Sequence, residues 1–230
     1  MKEKIIILHG WQSKLYRWQK FKKHLEKNFI VYLPFLPGFQ KELKKAFSLD
    51  DYVRWLKNYL KKHQIKNPVI IAHSFGGRIA IKYASQGNPL KKLVLIASAG
   101  IKPPLSLKKI LGWLFSKTGR LFLSLPVLSW FKKPVRRLFY TVLREKDYYY
   151  AQGYLRKTMK NILREDLKNQ LFKITVPTLV LWGKKDKITP VKDALLIDKR
   201  IAKSRLVLLP RGTHRLPFER TSQLVKLITK

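Results

Sequence analysis

The 230-residue sequence contains no cysteine. A disulfide framework, a thiolate nucleophile and any metal site that needs a cysteine ligand are therefore excluded. Because disulfides are rare in the cytosol, the absence of cysteine fits a cytoplasmic protein, and we expect that location. No motif in the sequence predicts a bound metal or a cofactor, so we expect neither.

Acidic residues are scarce, since 13 Asp and Glu accompany 50 Lys and Arg and the formal net charge is +37. Two interpretations compete: a polyanionic partner, either nucleic acid or an anionic membrane surface, or a general lysine bias on every solvated face. The charge is spread almost evenly along the chain, whereas a binding site would concentrate it. We therefore favour lysine bias, expect no nucleic acid partner, and keep an anionic membrane surface as a candidate partner.

Long uncharged apolar runs are also absent. No such stretch approaches the roughly 20 residues that a membrane span needs, and the apolar run at 5–8 is too short for a signal peptide. We therefore expect a soluble protein. With 46% hydrophobic residues, the chain can nevertheless bury the core of a compact domain.

Short, continuous apolar segments recur along the chain, at 5–8, 69–72, 93–96, 179–182 and 206–209. Their lack of alternation is typical of strands buried on both faces of a parallel sheet, and 30–33 is a shorter candidate. Amphipathic helical patterns separate these segments, and Ser48 with Asp51 forms a capping-box start to one helix. This alternation predicts an α/β fold with a doubly wound, mostly parallel sheet.

The alternation stops between residues 101 and 174. This stretch is rich in Leu, Phe, Trp and Tyr and shows no convincing strand. We predict a helical cap over the carboxyl edge of the sheet, because ligands bind at that edge in open α/β sheets. Additional core is the alternative interpretation. The core domain then comprises residues 1–100 and 175–230.

A candidate nucleophile follows the apolar segment at 69–72. Ser74 lies between this predicted strand and a helical pattern, with Ala72 two residues before it and Gly76 two residues after it. A strand that turns sharply into a helix needs small residues at these positions, because larger ones would clash in the strained turn. We therefore predict a nucleophile elbow supported by Ala72, Gly76 and Gly77.

A serine hydroxyl needs a base to act as a nucleophile, and the base needs an acid that orients it. Asp186 follows the segment at 179–182, and His214 follows the segment at 206–209. Serine, acid, histidine is also the chain order expected for a nucleophile elbow. We predict Ser74 as the nucleophile, His214 as the base and Asp186 as the orienting acid. Taken alone, Asp186 or His214 could equally be an ordinary loop residue.

The loop after the first predicted strand is a candidate for an oxyanion hole. Gly10, within His9-Gly10-Trp11, lets the backbone approach a substrate oxygen. We predict the backbone amides of Trp11 and Phe75 as the donors to that oxygen. His9 is expected to brace the loop rather than to transfer protons.

These motifs together resemble the α/β-hydrolase superfamily, in the branch of small esterases, lipases and C–C bond hydrolases that carry a helical cap. The matching stretches are 8–11, 36–39, 72–77, 93–100, 177–186 and 212–214. Phe35 and Gln40 depart from the residues common in relatives, Asp and Gly, and Thr213 replaces a commoner Gly. None of these departures removes Ser74, Asp186 or His214.

The resemblance implies hydrolysis of a carboxylic ester, or a related carbonyl compound, through an acyl-enzyme intermediate. Cleavage of a carbon–carbon bond beside a ketone would use the same three residues and stays open, as does a non-catalytic binding scaffold. We expect a small-molecule substrate with an apolar or acyl group that meets the aromatic residues of the cap. If the cap also contacts an anionic membrane, the protein would be peripheral to it. The oligomeric state is left open.

Overall fold

The structure of the protein, a computed structural model, describes residues 2–102 and 152–229. Its strands are β1 (Lys4–Leu8), β2 (Ile30–Tyr32), β3 (Val69–His73), β4 (Lys92–Ile96), β5 (Thr178–Gly183) and β6 (Ser204–Leu209). They form one parallel sheet in the order β2–β1–β3–β4–β5–β6. The predicted α/β fold with a doubly wound sheet is confirmed.

The position of a strand in the sheet decides how deeply it is buried. The inner strands β1, β3, β4 and β5 are buried almost throughout, as continuous apolar segments predict. β6 carries a similar apolar run, but it lies at an edge of the sheet and most of its residues are only half-buried. The apolar pattern identified this strand correctly but overestimated its burial, because β5 alone pairs with it among the residues that the structure describes.

Helices cover both faces of the sheet. They are α1 (Gln19–Leu25), α2 (Leu49–Lys62), α3 (Phe75–Ser85), α4 (Gly153–Arg164), α5 (Val191–Arg200), α6 (Leu216–Glu219) and α7 (Thr221–Ile228), with 3-10 helices at Leu15–Trp18 and Lys168–Lys173. Residues of α2, α3, α4 and α5 contribute to one core and residues of α1, α6 and α7 to the other. Successive side chains of β1 alternate between the two cores, as the geometry of a strand requires. Among the described residues, no helix combines the length and the apolar character needed to cross a membrane.

The start of α2 shows how local sequence sets a helix boundary. The Ser48 hydroxyl accepts a hydrogen bond from the Asp51 amide at 3.2 Å, and the Asp51 carboxylate accepts one from the Ser48 amide at 2.8 Å. Each side chain thereby satisfies a backbone donor that the first turn of a helix leaves without a partner. The predicted capping box is confirmed.

Of the predicted cap, only 101–102 and 152–174 lie among the described residues, because the stretch 103–151 falls outside them. The longer described part contains α4, whose residue Ile162 is buried in the same core as α3. Arg78 of α3 is itself buried, and its guanidinium donates to the carbonyls of Ile162 at 3.1 Å and of Glu165 at 2.8 Å. The cation lies at the C-terminal end of α4, where carbonyls lack partners within the helix and the helix dipole favours a positive charge. The division into core and cap stays a prediction.

All the carboxyl ends of the strands meet at one edge, because the sheet is parallel. The chain passes from β1 to β2 on one side, whereas β3 pairs with β1 on the other side. Open α/β sheets bind ligands at such a switch in strand order. The loops that begin at His9 and at Ser74 follow β1 and β3, so both lie at this switch point.

The helix α3 packs unusually close to the strands at this edge. A methyl group placed on Gly76 would lie 2.1 Å from the Leu8 carbonyl oxygen, and one on Gly77 would lie 1.8 Å from the Ser98 hydroxyl. Neither position can accept a larger residue without displacing α3 from β1 or from the loop after β4. The two glycines after Ser74 are therefore required by packing against the neighbouring strands.

Replacing Gly76 with alanine should destabilise the fold by about 3 kcal/mol or more, because the added methyl group meets backbone atoms rather than a movable side chain. Gly87→Ala is the control. Gly87 has a φ of +70° but no atom within 4 Å of the added methyl group, so only backbone strain of about 1–2 kcal/mol is expected. Urea unfolding measures both values. Equal losses in the two variants would contradict the close approach at Gly76.

Candidate active site

Ser74 occupies the turn between β3 and α3. Its φ of +51° and ψ of −115° lie in a region that residues other than glycine rarely adopt. Hydrogen bonds hold the strained backbone on both sides: the Ser74 amide donates to the Ile96 carbonyl at 3.2 Å, and the Ser74 carbonyl accepts from the Gly77 and Ala99 amides at 3.0 and 2.9 Å. This is the strained strand-to-helix turn that the small residues at 72 and 76 indicate.

Three predicted residues from distant parts of the chain meet at this turn. The His214 Nε2 atom lies 3.0 Å from the Ser74 hydroxyl, and its Nδ1 atom lies 2.8 Å from Oδ2 of Asp186. When Nδ1–H donates to the carboxylate, Nε2 is left as an acceptor for the serine proton. The structure thus places a hydroxyl, an imidazole and a carboxylate in one continuous hydrogen-bond chain.

Asp186 is buried, and its carboxylate is surrounded by donors. Oδ1 accepts from the amides of Ile188 at 2.8 Å and Thr189 at 2.9 Å, and Oδ2 accepts from the Thr189 hydroxyl at 2.8 Å as well as from His214. Burial on its own would raise the pKa of this carboxyl, but the hydrogen bonds, that from His214 first, hold the pKa below its usual value. The carboxylate is therefore negatively charged at neutral pH.

Thr189 is a site residue that the sequence analysis missed. Its hydroxyl contacts both Asp186 and, at 3.2 Å, the Nδ1 atom of His214. The signal was the spacing Asp-x-x-Thr, in which the aspartate accepts from the amides two and three residues later and so closes a turn. That pattern is common in turns of any function, so it does not identify a site by itself.

His9 lies on the loop after β1 and has no exposed surface. Its Nδ1–H donates to the Gly10 carbonyl at 2.8 Å, and its Nε2 accepts from the Leu36 amide at 3.2 Å. Burial lowers the pKa of His9, so the ring is neutral at neutral pH. It joins the loop after β1 to the loop after β2, which is the position expected for a brace.

Trp11 and Phe75, the predicted oxyanion donors, lie close together. Their rings make an edge-to-face contact with centroids 5.2 Å apart, and Phe39 packs against both at 4.9 and 6.1 Å. We call these three rings the aromatic wall. Phe75 is the first residue of α3, where a backbone amide has no acceptor within the helix. Its N–H is therefore available to a ligand at the end of the helix.

His73 precedes Ser74 and holds the backbone of the loop that carries His214. Its ring is almost completely buried with its centroid 4.9 Å from that of His214, and its Nε2–H donates to the His214 carbonyl at 2.9 Å. Burial, together with the nearby His214, lowers the pKa of His73 to about 3. The side chain is therefore neutral and fixes the backbone of His214 rather than exchanging protons near neutral pH.

Groups of three or more His, Asp or Glu side chains that could hold a metal ion are absent from the part of the chain that the structure describes.

The family model for the alpha/beta hydrolase fold matches residues 4–221 of this chain. A pimeloyl-[acyl-carrier protein] methyl ester esterase of Pectobacterium carotovorum subsp. carotovorum (strain PC1) is 28% identical, with 93% of this chain and 88% of that protein covered. Monoacylglycerol lipase ABHD6 of Homo sapiens is 26% identical, with 99% of this chain and 74% of that protein covered.

Solved structures share the fold at lower sequence identity. An esterase from Exiguobacterium antarcticum matches with a TM-score of 0.74 and 21% identity, covering 99% of this chain and 90% of that one. An enol-lactonase from Burkholderia xenovorans LB400 matches with a TM-score of 0.73 and 20% identity, covering 100% of this chain and 90% of that one. Identities this low establish a common fold and nothing about the substrate.

The buried His73 should make the stability of the protein depend on pH. The pKa of His73 is about 3 in the folded protein, whereas histidine in an unfolded chain has its ordinary value of about 6.5. Between these values only the unfolded chain binds the proton. The free energy of unfolding should therefore fall by up to ~1.4 kcal/mol per pH unit as the pH decreases from 6.5 towards 3.

His73→Gln removes this titration but keeps a donor for the His214 carbonyl, so the dependence of stability on pH should become shallower. Urea unfolding at pH 6.5, 5.5 and 4.5 measures the slope. His63→Gln, at an exposed position after α2, is the control for replacing a histidine with glutamine. Equal slopes in the wild type and His73→Gln would show that His73 does not control this response.

Proposed function

Because the chain belongs to the α/β-hydrolase fold family, we propose that it is a serine hydrolase that cleaves a carboxylic ester, or a related carbonyl compound, through an acyl-enzyme intermediate. The observation that carries this proposal is the continuous hydrogen-bond chain from Ser74 through His214 to Asp186. A base within reach of the hydroxyl, and an acid that orients the base, are what a serine needs to attack a carbonyl carbon.

In the proposed reaction, the His214 Nε2 atom takes the proton of Ser74 as the serine oxygen bonds to the substrate carbonyl carbon. The carbonyl oxygen becomes an oxyanion, and Asp186 stabilises the imidazolium that has formed. His214 then gives its proton to the leaving alcohol, which leaves an acyl group on Ser74. A water molecule, deprotonated by the same imidazole, releases the acid and restores the serine.

We assign stabilisation of the oxyanion to the backbone amides of Trp11 and Phe75. The packing of the two rings and the position of Phe75 at the start of α3 support this assignment. The helix also directs the positive end of its dipole towards the developing charge. Each preorganised donor of this kind contributes about 3–4 kcal/mol to transition-state stabilisation.

For the substrate we propose a small ester with an apolar acyl group. The aromatic wall supports this choice, because it gives the proposed oxyanion hole an apolar border. The two relatives named above, by name a methyl ester esterase and a monoacylglycerol lipase, also act on esters. The predicted contact of the cap with a membrane concerns residues outside the described part of the chain and stays a prediction.

Ser74→Ala should abolish both ester hydrolysis and covalent labelling by a fluorophosphonate probe, because the attacking oxygen is missing. Asp186→Asn should keep the geometry but lower kcat by about 10⁴, since it leaves the imidazole in the wrong tautomer. Initial rates on p-nitrophenyl esters and gel detection of the probe measure these effects. Ser85→Ala, at the far end of α3, is the control. Labelling that persists in Ser74→Ala would exclude Ser74 as the nucleophile.

Activity should decrease as the pH falls through roughly 6–7, because an imidazole must be neutral to accept the serine proton and histidine ordinarily titrates in this range. The pH dependence of kcat/KM on a short ester measures this. The pKa of Asp186 is held below its usual value, so loss of the charge of Asp186 does not cause this decrease. A flat profile between pH 5 and 8 would argue against His214 as the base.

A further inference from the structure

The hydroxyl of Thr189 lies where the proposed acid and base meet. We propose that Thr189 is a positioning residue for the reaction proposed above, on which this inference rests: its hydroxyl orients the imidazole of His214 and limits the charge that Asp186 presents to it. The hydroxyl oxygen lies 2.8 Å from Oδ2 of Asp186 and 3.2 Å from Nδ1 of His214.

The backbone of Thr189 is held rigidly, so the position of its hydroxyl is fixed. The Thr189 amide donates to Oδ1 of Asp186 at 2.9 Å, and its carbonyl accepts from the indole N–H of Trp182 at 2.9 Å. Trp182 has no exposed surface and Thr189 is 7% exposed. Replacing the side chain at this position can therefore remove the hydroxyl while the turn remains.

The hydroxyl has one proton and two acceptors. Oδ2 of Asp186 is the nearer acceptor at 2.8 Å, and the Ala97 carbonyl is the farther one at 3.3 Å. With the proton on the side of Asp186, a lone pair of the hydroxyl faces Nδ1–H of His214. That N–H is then shared between Oδ2 of Asp186 and the hydroxyl oxygen of Thr189. Two acceptors fix the plane of the ring as well as its tautomer.

This arrangement has an electrostatic consequence for the base. The Thr189 hydroxyl donates to Oδ2, the same carboxylate oxygen that accepts from His214, and so takes up part of its negative charge. The carboxylate then attracts a protonated imidazole less strongly than a bare carboxylate would. The Thr189 hydroxyl therefore reduces the negative charge that Asp186 presents to the imidazole of His214.

Other titratable groups near the site are the same in the wild type and in a Thr189 variant. His73 packs against His214 and is held neutral by burial. Asp193 of α5 interacts with Asp186, and burial raises the pKa of Asp193 to about 6. Because Asp193 titrates in the range of interest, the informative quantity is the difference between the variant and the wild type.

Thr189→Val removes the hydroxyl at nearly constant volume, and Thr189→Ser retains it. In Thr189→Val we expect kcat to fall about tenfold with KM unchanged, as for a lost hydrogen bond to a charged group. We also expect a shift to higher pH in the midpoint of the acid limb, the part of the pH profile of kcat/KM in which activity falls as the pH decreases. Thr189→Ser should restore kcat to within a few-fold and return the midpoint to the wild-type value. Thr221→Val is the control, because Thr221 is 6% exposed and its hydroxyl donates to the Pro217 carbonyl at 2.8 Å, away from Asp186 and His214.

Thermal unfolding of each variant separates positioning from folding. A residue that merely stabilises the turn would lower the unfolding temperature, and activity would fall only in proportion to the folded protein, with the acid limb unmoved. That result would overturn the proposal. Failure of Thr189→Ser to restore the midpoint of the acid limb would overturn it as well.

A second measurement does not require turnover. The ring nitrogens of histidine can be followed by nuclear magnetic resonance in ¹⁵N-labelled protein, with the His214 signals assigned by comparison with His214→Gln. The pH at which the His214 ring gains its second proton should be higher in Thr189→Val than in the wild type. If Ser74→Ala retained hydrolysis, the proposed function would fail, whereas an unmoved ring titration would reject the role of Thr189 alone.

Discussion

The candidate site depends on the close approach of α3 to the ends of two neighbouring strands. Ser74 has a backbone conformation that costs about 1–3 kcal/mol, and such strain persists only when the surroundings enforce it. Here β4 enforces it through the Ile96 carbonyl, and the loop after β4 enforces it through the Ala99 amide. Gly76 and Gly77 allow the helix to come this close. Because the Ser74 backbone is bonded to Ile96 and Ala99 while Gly76 packs on β1, Ser74 cannot relax without separating α3 from the sheet.

The electrostatics of the site are local and are largely independent of the net charge of +37. Interactions between exposed charges are screened within about 8 Å at physiological ionic strength. The buried carboxylate of Asp186 is instead stabilised by four donors in direct contact. His9 and His73 are neutral because burial disfavours their charged forms. The surface charge can raise the local concentration of anions, but it does not decide which groups of the site are ionised.

Features that follow from local pattern could be predicted from the sequence. The continuous apolar segments gave the strands, and the parallel sheet then placed Ser74, Asp186 and His214 at one edge, where the structure brings them into contact. Features that depend on packing could not be predicted. The half-burial of β6 follows from its place in the strand order, and the contact between His73 and the His214 carbonyl joins residues 141 positions apart.

The backbone sets the distance between the proposed acid and base. A methyl group on Gly183, at the end of β5, would lie 2.2 Å from the Gly212 carbonyl oxygen, and that carbonyl accepts from the Lys185 amide at 2.9 Å. The loop that carries His214 therefore rests directly on the loop that carries Asp186, and only glycines fit at this contact. Loops are usually the mobile part of a fold. Here the loops that carry Asp186 and His214 are joined by contacts of their backbones, in addition to the hydrogen bond between their side chains. This main-chain contact preorganises the imidazole and the carboxylate.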